Sequence, residues 1–247
     1  MFFPNLTNYK GICPCWLLQF CKITPIWGCN QAFSTAQCAT VKILAVSDQV
    51  VERVYSLAPS GHFKGVELIL GCGDMPYTYL EYLVTVLSVP LFYVPGNHDP
   101  DFNPRDPRSR AEGGSNLDLR LVYHNKSLIA GFGGSVRYRP DGTNQYTQTD
   151  AYMRAFNMVP KLVINRIKHG RALDVLISHS PPFGIHDDTD YAHNGLKALN
   201  WLINFAKPRY HFHGHTHFYR NNIEQSITKV GNTQIMNVYP YKVVDTE

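Results

Sequence analysis

The stretch Leu91-Phe92-Tyr93-Val94-Pro95-Gly96-Asn97-His98-Asp99 joins an apolar run to three polar residues that can bind a metal or transfer a proton. Four consecutive apolar residues followed by Pro and Gly predict a short buried strand, 91–94, that ends in a turn. The three polar residues follow that turn directly. Open α/β sheets bind ligands beyond the carboxyl ends of their strands. The stretch therefore predicts a sheet and, at its edge, a site.

The same arrangement recurs at four other places in the chain. The predicted strands Val41–Val46, Glu67–Leu70, Leu173–Ile177 and Tyr210–Phe212 are followed in turn by Asp48, by Asp74, by His179, and by the pair His215 and His217. Each residue alone has a simpler explanation, because Asp often caps a turn and a single His often forms structural hydrogen bonds. As a series, carboxylate, imidazole and amide oxygen form a ligand set that suits Mn, Fe, Zn or Mg.

The remaining pattern favours a layered α/β architecture, since short strands alternate with helices. Apolar residues at helical spacing predict helices over residues 80–87 and 196–203, and a third over Tyr152–Lys168 with a break near Pro160. Further strands are predicted at Arg120–Tyr123 and Leu128–Phe132, as a hairpin, and at Thr233–Tyr239 and Lys242–Val244. The segment Pro100–Asn116 is predicted to be a long surface loop.

The ordered motifs resemble those of the calcineurin-like metallophosphoesterase family: Asp-x-His, Gly-Asp, Gly-Asn-His-Asp, a lone His after a strand, and Gly-His-x-His. The resemblance covers about residues 41–245. It implies a four-layer α/β/β/α sandwich of two mixed β-sheets, with two divalent metal ions (Mn, Fe, Zn or Mg) at one edge. It also implies a phosphoester hydrolase that attacks in line with a metal-bridging hydroxide. The His-x-Pro-Pro segment at residues 179–182 resembles the phosphodiesterase branch, so we expect diesters to be favoured over monoesters.

Read residue by residue, the resemblance implies a complete set of roles. It assigns metal binding to Asp48, Asp74, Asn97, His179, His215 and His217, and catalysis to His98. Asp74 would bridge the two metals, one completed by Asn97, His179 and His215 and the other by Asp48 and His217. His98 would stand beside the leaving group and donate its proton to it.

Two family positions differ in this chain. Val50 replaces the His of Asp-x-His and cannot bind a metal, so one metal has only three recognisable ligands. Gln49 is expected to point to the opposite face of an extended chain. The run Ile185–Asp190 is a possible source of a replacement ligand, or else a solvated acidic loop. Tyr77 replaces an Asp that often orients the catalytic His; because a Tyr hydroxyl can form a hydrogen bond but adds no negative charge, we expect His98 to be a weaker general acid or to rely on Asp99.

Two arginines are candidates to contact an anionic substrate. Arg137 and Arg139 follow the predicted strand that ends at Phe132, and the guanidinium fork matches phosphate oxygens. The alternative for both is a solvated basic loop. Together with Asp99 and Tyr77 they complete the residues expected around the metals and the substrate.

Composition limits the class of protein and of partner. The chain has 247 residues, 44% hydrophobic and 17% charged, with a formal net charge of +4. These values fit one globular α/β domain. The mild positive charge suits a small phosphoester or nucleotide-like substrate and does not by itself argue for nucleic-acid binding. No apolar run reaches the ~20 residues of a membrane span, and we expect a cytoplasmic protein without a membrane partner.

The first forty residues differ in composition from the rest. They contain five of the six cysteines and no acidic residue. A secretory signal and a cysteine-rich module are alternatives, but the apolar run is short and interrupted and the cysteine number is odd. We interpret residues 1–40 as an irregular or non-native extension before a metallophosphoesterase domain at 41–247. In its sharper form, the hypothesis places the natural start at Val41, and peptides from residues 1–40 in the native protein would refute it.

Two other classes of function remain open at this point. The changes at Val50 and Tyr77 motivate a non-catalytic interaction module with the same fold. Metal content and activity separate that module from an enzyme. A nuclease is a weaker alternative, because neither a broad basic groove nor a capping domain is visible in 247 residues.

Overall fold

The computed structural model describes residues 40–218 and 225–246, and the predicted extension at 1–40 lies almost wholly outside them. Its strands are β1 Val41–Val46, β2 Leu68–Cys72, β3 Leu91–Val94, β4 Gly114–Asn116, β5 Leu121–His124, β6 Ser127–Phe132, β7 Ser135–Val136, β8 Gln145–Tyr146, β9 Val175–Ser178, β10 Tyr210–His213, β11 Ile227–Val230, β12 Thr233–Asn237 and β13 Tyr241–Thr246. Its α-helices are α1 Glu52–Leu57, α2 Tyr77–Leu87, α3 Gln148–His169 and α4 Lys197–Ala206.

The strands form two mixed sheets. One has the order β13-β1-β2-β3-β4 and the other the order β11-β12-β10-β9-β6-β5. Within each sheet the central strands run parallel, as β1 does with β2 and β9 with β10. Parallel pairing brings the carboxyl ends of these strands to one edge of each sheet, which is where the candidate ligands lie.

Three buried apolar clusters separate the layers. The first lies between the sheets and contains Ile43, Leu70, Ile177 and Phe212. A second packs α1 and α2 on the outer face of the first sheet, and a third packs α3 and α4 on the outer face of the second. Each sheet is thus buried on both faces, as its nearly continuous apolar strands require. The predicted four-layer α/β/β/α sandwich is confirmed.

One helix differs from its prediction. The chain does not break at Pro160, because α3 runs without interruption from Gln148 to His169. Pro160 is exposed, so the carbonyl that loses its helical partner can accept a hydrogen bond from water. A capping box at Thr147 and Asp150 starts the helix, and Gly170 in the left-handed conformation ends it.

The described helices were also compared with the requirements for crossing a bilayer. Within residues 40–218 and 225–246, no helix combines the length and the apolar content of a membrane span.

Candidate metal centre

Four candidate ligand atoms converge at the edge shared by the two sheets. His179 Nε2 lies 3.0 Å from Asn97 Oδ1, 3.0 Å from His215 Nδ1 and 3.3 Å from Asp74 Oδ2. Ligand atoms ~2.1 Å from one cation, at angles between a right angle and the tetrahedral angle, lie about 3.0–3.4 Å apart. The three distances from His179 Nε2 therefore match the spacing of ligands on a single divalent cation, and the ligand atoms of Asp74, His179 and His215 all lie within 4.8 Å of one another.

Backbone carbonyls orient both histidine rings toward that point. His179 Nδ1–H donates to the carbonyl oxygen of Cys72 at 2.9 Å, and His215 Nε2–H donates to that of Ala192 at 2.9 Å. These hydrogen bonds leave His179 Nε2 and His215 Nδ1 as the ring nitrogens that face the candidate ligand cluster. Such bonds commonly fix the tautomer of a metal-binding histidine.

The pKa shifts of the side chains around this point indicate that it favours a positive charge. His179 is fully buried, and burial alone lowers its pKa, but the carboxylates of Asp74 and Asp48 outweigh that effect and raise it to about 10. Conversely, the pKa of His215 is lowered to about 3, by burial and by the nearby His179. The pKa of Asp74 lies below its usual range, because interactions with His179 exceed the effect of burial. Without a metal, a proton on His179 Nε2 therefore supplies the positive charge that the ligands surround.

Unusual backbone conformations place three of these side chains. Asp48, Asp74 and His215 have φ values of 64°, 53° and 68°, in the left-handed region that most residues avoid. Non-glycine residues in this region concentrate at functional sites, where the surrounding structure must hold them. A side chain at Gly96 would collide with the Asp74 carboxylate, and one at Gly214 would collide with Ser47 and Asp48. The two glycines are therefore required by close approach.

Asp48 and His217 lie at the second position that the motifs imply. Asp48 Oδ2 accepts hydrogen bonds from Ser47 Oγ and from the backbone N–H of His215, at 2.9 Å for the latter. His217 is exposed and its ring stacks on Tyr239, with ring centroids 4.3 Å apart. Both residues line a pocket of about 470 Å³ beside Asp74. The second position is thus more open than the first.

The side chains of Gln49 and Val50, the two residues after Asp48, contact different parts of the protein. Gln49 was predicted to point away from the site, and its Oε1 accepts a hydrogen bond at 2.7 Å from the hydroxyl of Tyr239, beside His217. Val50 instead packs against the apolar cluster around α1 and α2. Gln49 lines neither pocket beside Asp74, so its predicted direction stays a prediction.

His98 and Asp99 follow Asn97 but face different environments. The His98 side chain is 70% exposed, and its Nε2 lies 4.0 Å from Asp74 Oδ2. Asp99 is buried, and its Oδ2 accepts hydrogen bonds at 2.8 Å from the backbone N–H groups of Asp74 and Gly96. Burial raises the pKa of Asp99 to about 6. Asp99 thus ties the loops after β2 and β3 together.

Replacing Asp99 with Ala should therefore destabilise the domain. Two backbone N–H groups would lose their acceptor, so we expect the free energy of unfolding to fall by roughly 2–4 kcal/mol. Asp99→Asn retains an acceptor oxygen and should lose clearly less. Denaturant unfolding of both variants measures the difference, and equal stabilities would show that the carboxyl oxygen does not hold these loops.

The acidic run Ile185–Asp190 supplies no carboxylate to the pocket. Asp187 Oδ2 accepts from the backbone N–H groups of Gly184 and Gly195, and Asp190 caps the turn of 3₁₀-helix at Tyr191–His193. His186 bonds to His213 Nε2 at 2.9 Å and to Thr228 Oγ1 at 2.8 Å. The polar groups of the run are thus used to shape its own loop and to fasten it to neighbouring strands.

The same loop nevertheless brings an unexpected histidine to the pocket. His193 lines it, held by a 2.6 Å hydrogen bond between its Nδ1 and Asp190 Oδ2, with its ring 5.1 Å from that of His215. Tyr138 also lines the pocket, and its hydroxyl accepts from Asn97 Nδ2 at 3.1 Å. Sequence reasoning missed both residues, because neither follows a strand at a recognisable motif.

The two candidate arginines and Tyr77 lie in different surroundings in the structure. Arg139 lines the pocket, whereas Arg137 points to the start of α3, where its Nη2 lies 3.4 Å from Asp150 Oδ2. The ring of Tyr77 contacts that of Tyr93, with centroids 5.5 Å apart. Burial, together with the nearby carboxylate of Asp99, raises the pKa of the Tyr77 phenol well above its usual range. Of the two arginines, only Arg139 is in place to meet a ligand beside Asp74.

Comparison with known proteins agrees with this geometry. The family model of calcineurin-like phosphoesterases matches residues 45–219. An uncharacterized protein of Methanocaldococcus jannaschii is 28% identical over 193 residues, which are 75% of this chain and 77% of that protein.

Solved structures resemble the chain in fold. TT1561 of Thermus thermophilus superposes with a TM-score of 0.52 at 15% identity, over 83% of this chain and 99% of its own. Vacuolar protein sorting 29 of Cryptosporidium parvum gives a TM-score of 0.40 at 14% identity, over 81% and 74% of the two chains.

Proposed function

This chain belongs to the calcineurin-like phosphoesterase family, whose members are metal-dependent phosphoesterases, and from that premise we propose that it is a phosphodiesterase with two divalent cations. The observation that supports the proposal most strongly is the convergence of Asp74, Asn97, His179 and His215 on one point. Their oxygen and nitrogen donors suit Mn, Fe, Zn or Mg. Cations bound here would polarise phosphoryl oxygens and lower the pKa of a water molecule.

We assign the metal-binding residues by position. Asn97, His179 and His215 would hold the first cation and Asp48 and His217 the second, with Asp74 as the ligand that the resemblance implies they share. His217 must turn from its stack on Tyr239 to bind, and its exposure leaves room for that movement. With no histidine at residue 50, the second cation has fewer protein ligands and is the weaker of the two.

The other pocket residues contact the substrate rather than the metals. Arg139 and His193 lie on the wall of the pocket and can donate hydrogen bonds to phosphoryl oxygens. Asp190 holds the His193 ring through Nδ1, which leaves Nε2 available to the ligand. Exposed His98, whose Nε2 lies 4.0 Å from Asp74 Oδ2, takes the role that the family resemblance implies and donates a proton to the leaving oxygen.

Hydrolysis of bis-p-nitrophenyl phosphate tests the proposal. Protein loaded with Mn should release p-nitrophenolate. The variant His98→Asn should lower kcat for the dinucleotide thymidylyl-thymidine, whose alkoxide leaving group needs a proton, by about 10²-fold or more, the usual contribution of a positioned proton donor, while metal content stays unchanged. His62→Asn is the matched control, since His62 is exposed in the turn before β2, lines neither pocket beside Asp74, and should leave both quantities unchanged.

A non-catalytic interaction module is the second candidate, and the open second position favours it. Elemental analysis of the purified protein and a panel of phosphoesters separate the two functions. A metal-loaded protein that turns over a diester establishes the enzyme. A protein that binds no metal and hydrolyses no member of the panel establishes the module.

A further inference from the structure

A second pocket lies beside the one to which the proposed function assigns the phosphoryl group. It measures about 610 Å³ and extends from Asp74 and His98 along the start of α2 to the loop before β4. His98 and Asp74 also line the smaller pocket, so the two pockets meet at these side chains. A ligand whose phosphorus lies beside Asp74 and whose leaving oxygen lies beside His98 would extend its leaving group into the larger pocket.

The inner part of this pocket is apolar and aromatic. Met75 is buried at its base, and Tyr77 lines it while its ring also packs on Tyr93. Pro100 and Pro107 complete the apolar wall. Ligand pockets of this size are usually lined by such residues, with a few polar groups that orient the ligand. A flat ring in the leaving group would gain more contact here than a small alkyl group would.

Charged side chains also line the pocket, and hydrogen bonds or ion pairs to neighbouring residues hold them in place. Glu81 Oε1 accepts from the backbone N–H of Glu112 at 2.9 Å, and the Glu112 carboxylate pairs with Arg110 at 2.9 Å. Arg108 is held by two hydrogen bonds from its side chain to the carboxylate of Asp106. The edge of a nucleobase offers both donors and acceptors to such groups. An aryl ring without polar atoms would leave these groups unused.

We propose that this pocket, formed by the start of α2 and the 100–112 loop, is a leaving-group site for a nucleoside, which makes nucleoside phosphodiesters the substrate class. The inference rests on the proposed function, because it places the reacting phosphorus beside Asp74. Water attacks phosphorus and loses a proton to solvent, the bond from phosphorus to the nucleoside oxygen breaks, and that oxygen takes a proton from His98, which solvent then protonates again. The released nucleoside leaves from the pocket, and the phosphate monoester remains in the smaller one.

Filling the pocket tests the site. Thr78 is exposed at the start of α2 and lines the pocket, so Thr78→Trp occupies it without removing a core side chain. Thr85→Trp, on the same helix but away from the pocket, is the matched control. We expect Thr78→Trp to lower kcat/KM for thymidylyl-thymidine about tenfold more than for bis-(2,2,2-trifluoroethyl) phosphate, and the control to change neither. Equal losses on the two substrates would overturn the inference.

A second pair of variants separates a nucleoside from a simple aromatic group. Arg108→Ala removes a donor that lines the pocket, whereas Arg105→Ala removes an exposed arginine of the same loop that does not line it. Arg108→Ala should lower kcat/KM several-fold for thymidylyl-thymidine and much less for bis-p-nitrophenyl phosphate, while Arg105→Ala lowers neither. An equal loss on both aromatic substrates would leave an aryl site and refute the nucleoside.

A measurement of nucleoside binding that needs no turnover distinguishes failure of the nucleoside site from failure of the phosphodiesterase proposal. Saturation-transfer NMR with thymidine should show contact with the wild-type protein and a clear loss of contact in Thr78→Trp. If the metal-loaded protein hydrolyses no diester but binds thymidine in this way, the phosphodiesterase proposal fails and the site stands. If it hydrolyses diesters and shows no thymidine contact, the site fails and the phosphodiesterase stands.

Discussion

Asp74→Asn is expected to lower metal-dependent phosphodiesterase activity about a thousandfold or more and to reduce the amount of bound metal. The substitution keeps the oxygen that accepts the His98 backbone N–H at 2.8 Å. With that oxygen kept, the atom that lies 3.3 Å from His179 Nε2 becomes the N–H₂ nitrogen, which has no lone pair to offer a cation. The two proposed cations would then lose the anionic ligand that they share. Catalysis and metal occupancy should therefore fail together.

A second carboxylate variant serves as the control for folding and for the loss of one charge. Asp101→Asn removes an exposed carboxylate of the next loop and should leave activity and metal content at wild-type values. Elemental analysis and initial rates with bis-p-nitrophenyl phosphate measure both quantities, and circular dichroism confirms folding. An active, fully metal-loaded Asp74→Asn protein would contradict the assignment of Asp74 as the shared ligand.

Affinity for the first cation is expected to rise about tenfold for each unit of pH around neutrality. The carboxylates of Asp74 and Asp48 raise the pKa of His179 to about 10, so without a metal its Nε2 is protonated below that pH. A cation must displace this proton, and one proton released per cation gives the slope. His215 adds no proton in this range, because its pKa is lowered to about 3.

Calorimetry can measure the released proton directly. Titration of Mn into metal-free protein at neutral pH, in buffers that differ in ionisation enthalpy, should show the release of about one proton for the first cation. The same experiment on His62→Asn should give the same value. Affinity that is independent of pH between about 6 and 8 would mean that His179 is already neutral before the metal binds.

The candidate site could be predicted from the sequence because each signal was local. An apolar run followed by Asp74, by Asn97 or by His179 is legible without knowledge of the remaining chain, and parallel pairing then brings the strand ends together. The predicted strands β1 and β3 match the observed bounds residue for residue. The hairpin of β5 and β6 is likewise present, paired antiparallel.

The parts that were not predicted depend on distant contacts. Asp48 has a left-handed φ, and no local pattern in the sequence indicates it. The carbonyl of Ala192 that orients His215 belongs to a loop far from it in the chain. Pro160 is tolerated because of where α3 meets solvent, which only the packed structure shows. Such features are decided by tertiary structure rather than by neighbouring residues.

The apolar packing of Val50 has a consequence for how the protein tolerates metal starvation. Relatives with the full motif have a metal-binding His at this position. In this chain Val50 instead packs against the apolar cluster between the first sheet and the helices outside it. That contact forms whether or not a cation arrives, so folding and metal loading are more independent events in this chain. Completion of this part of the core is thus expected not to require cations.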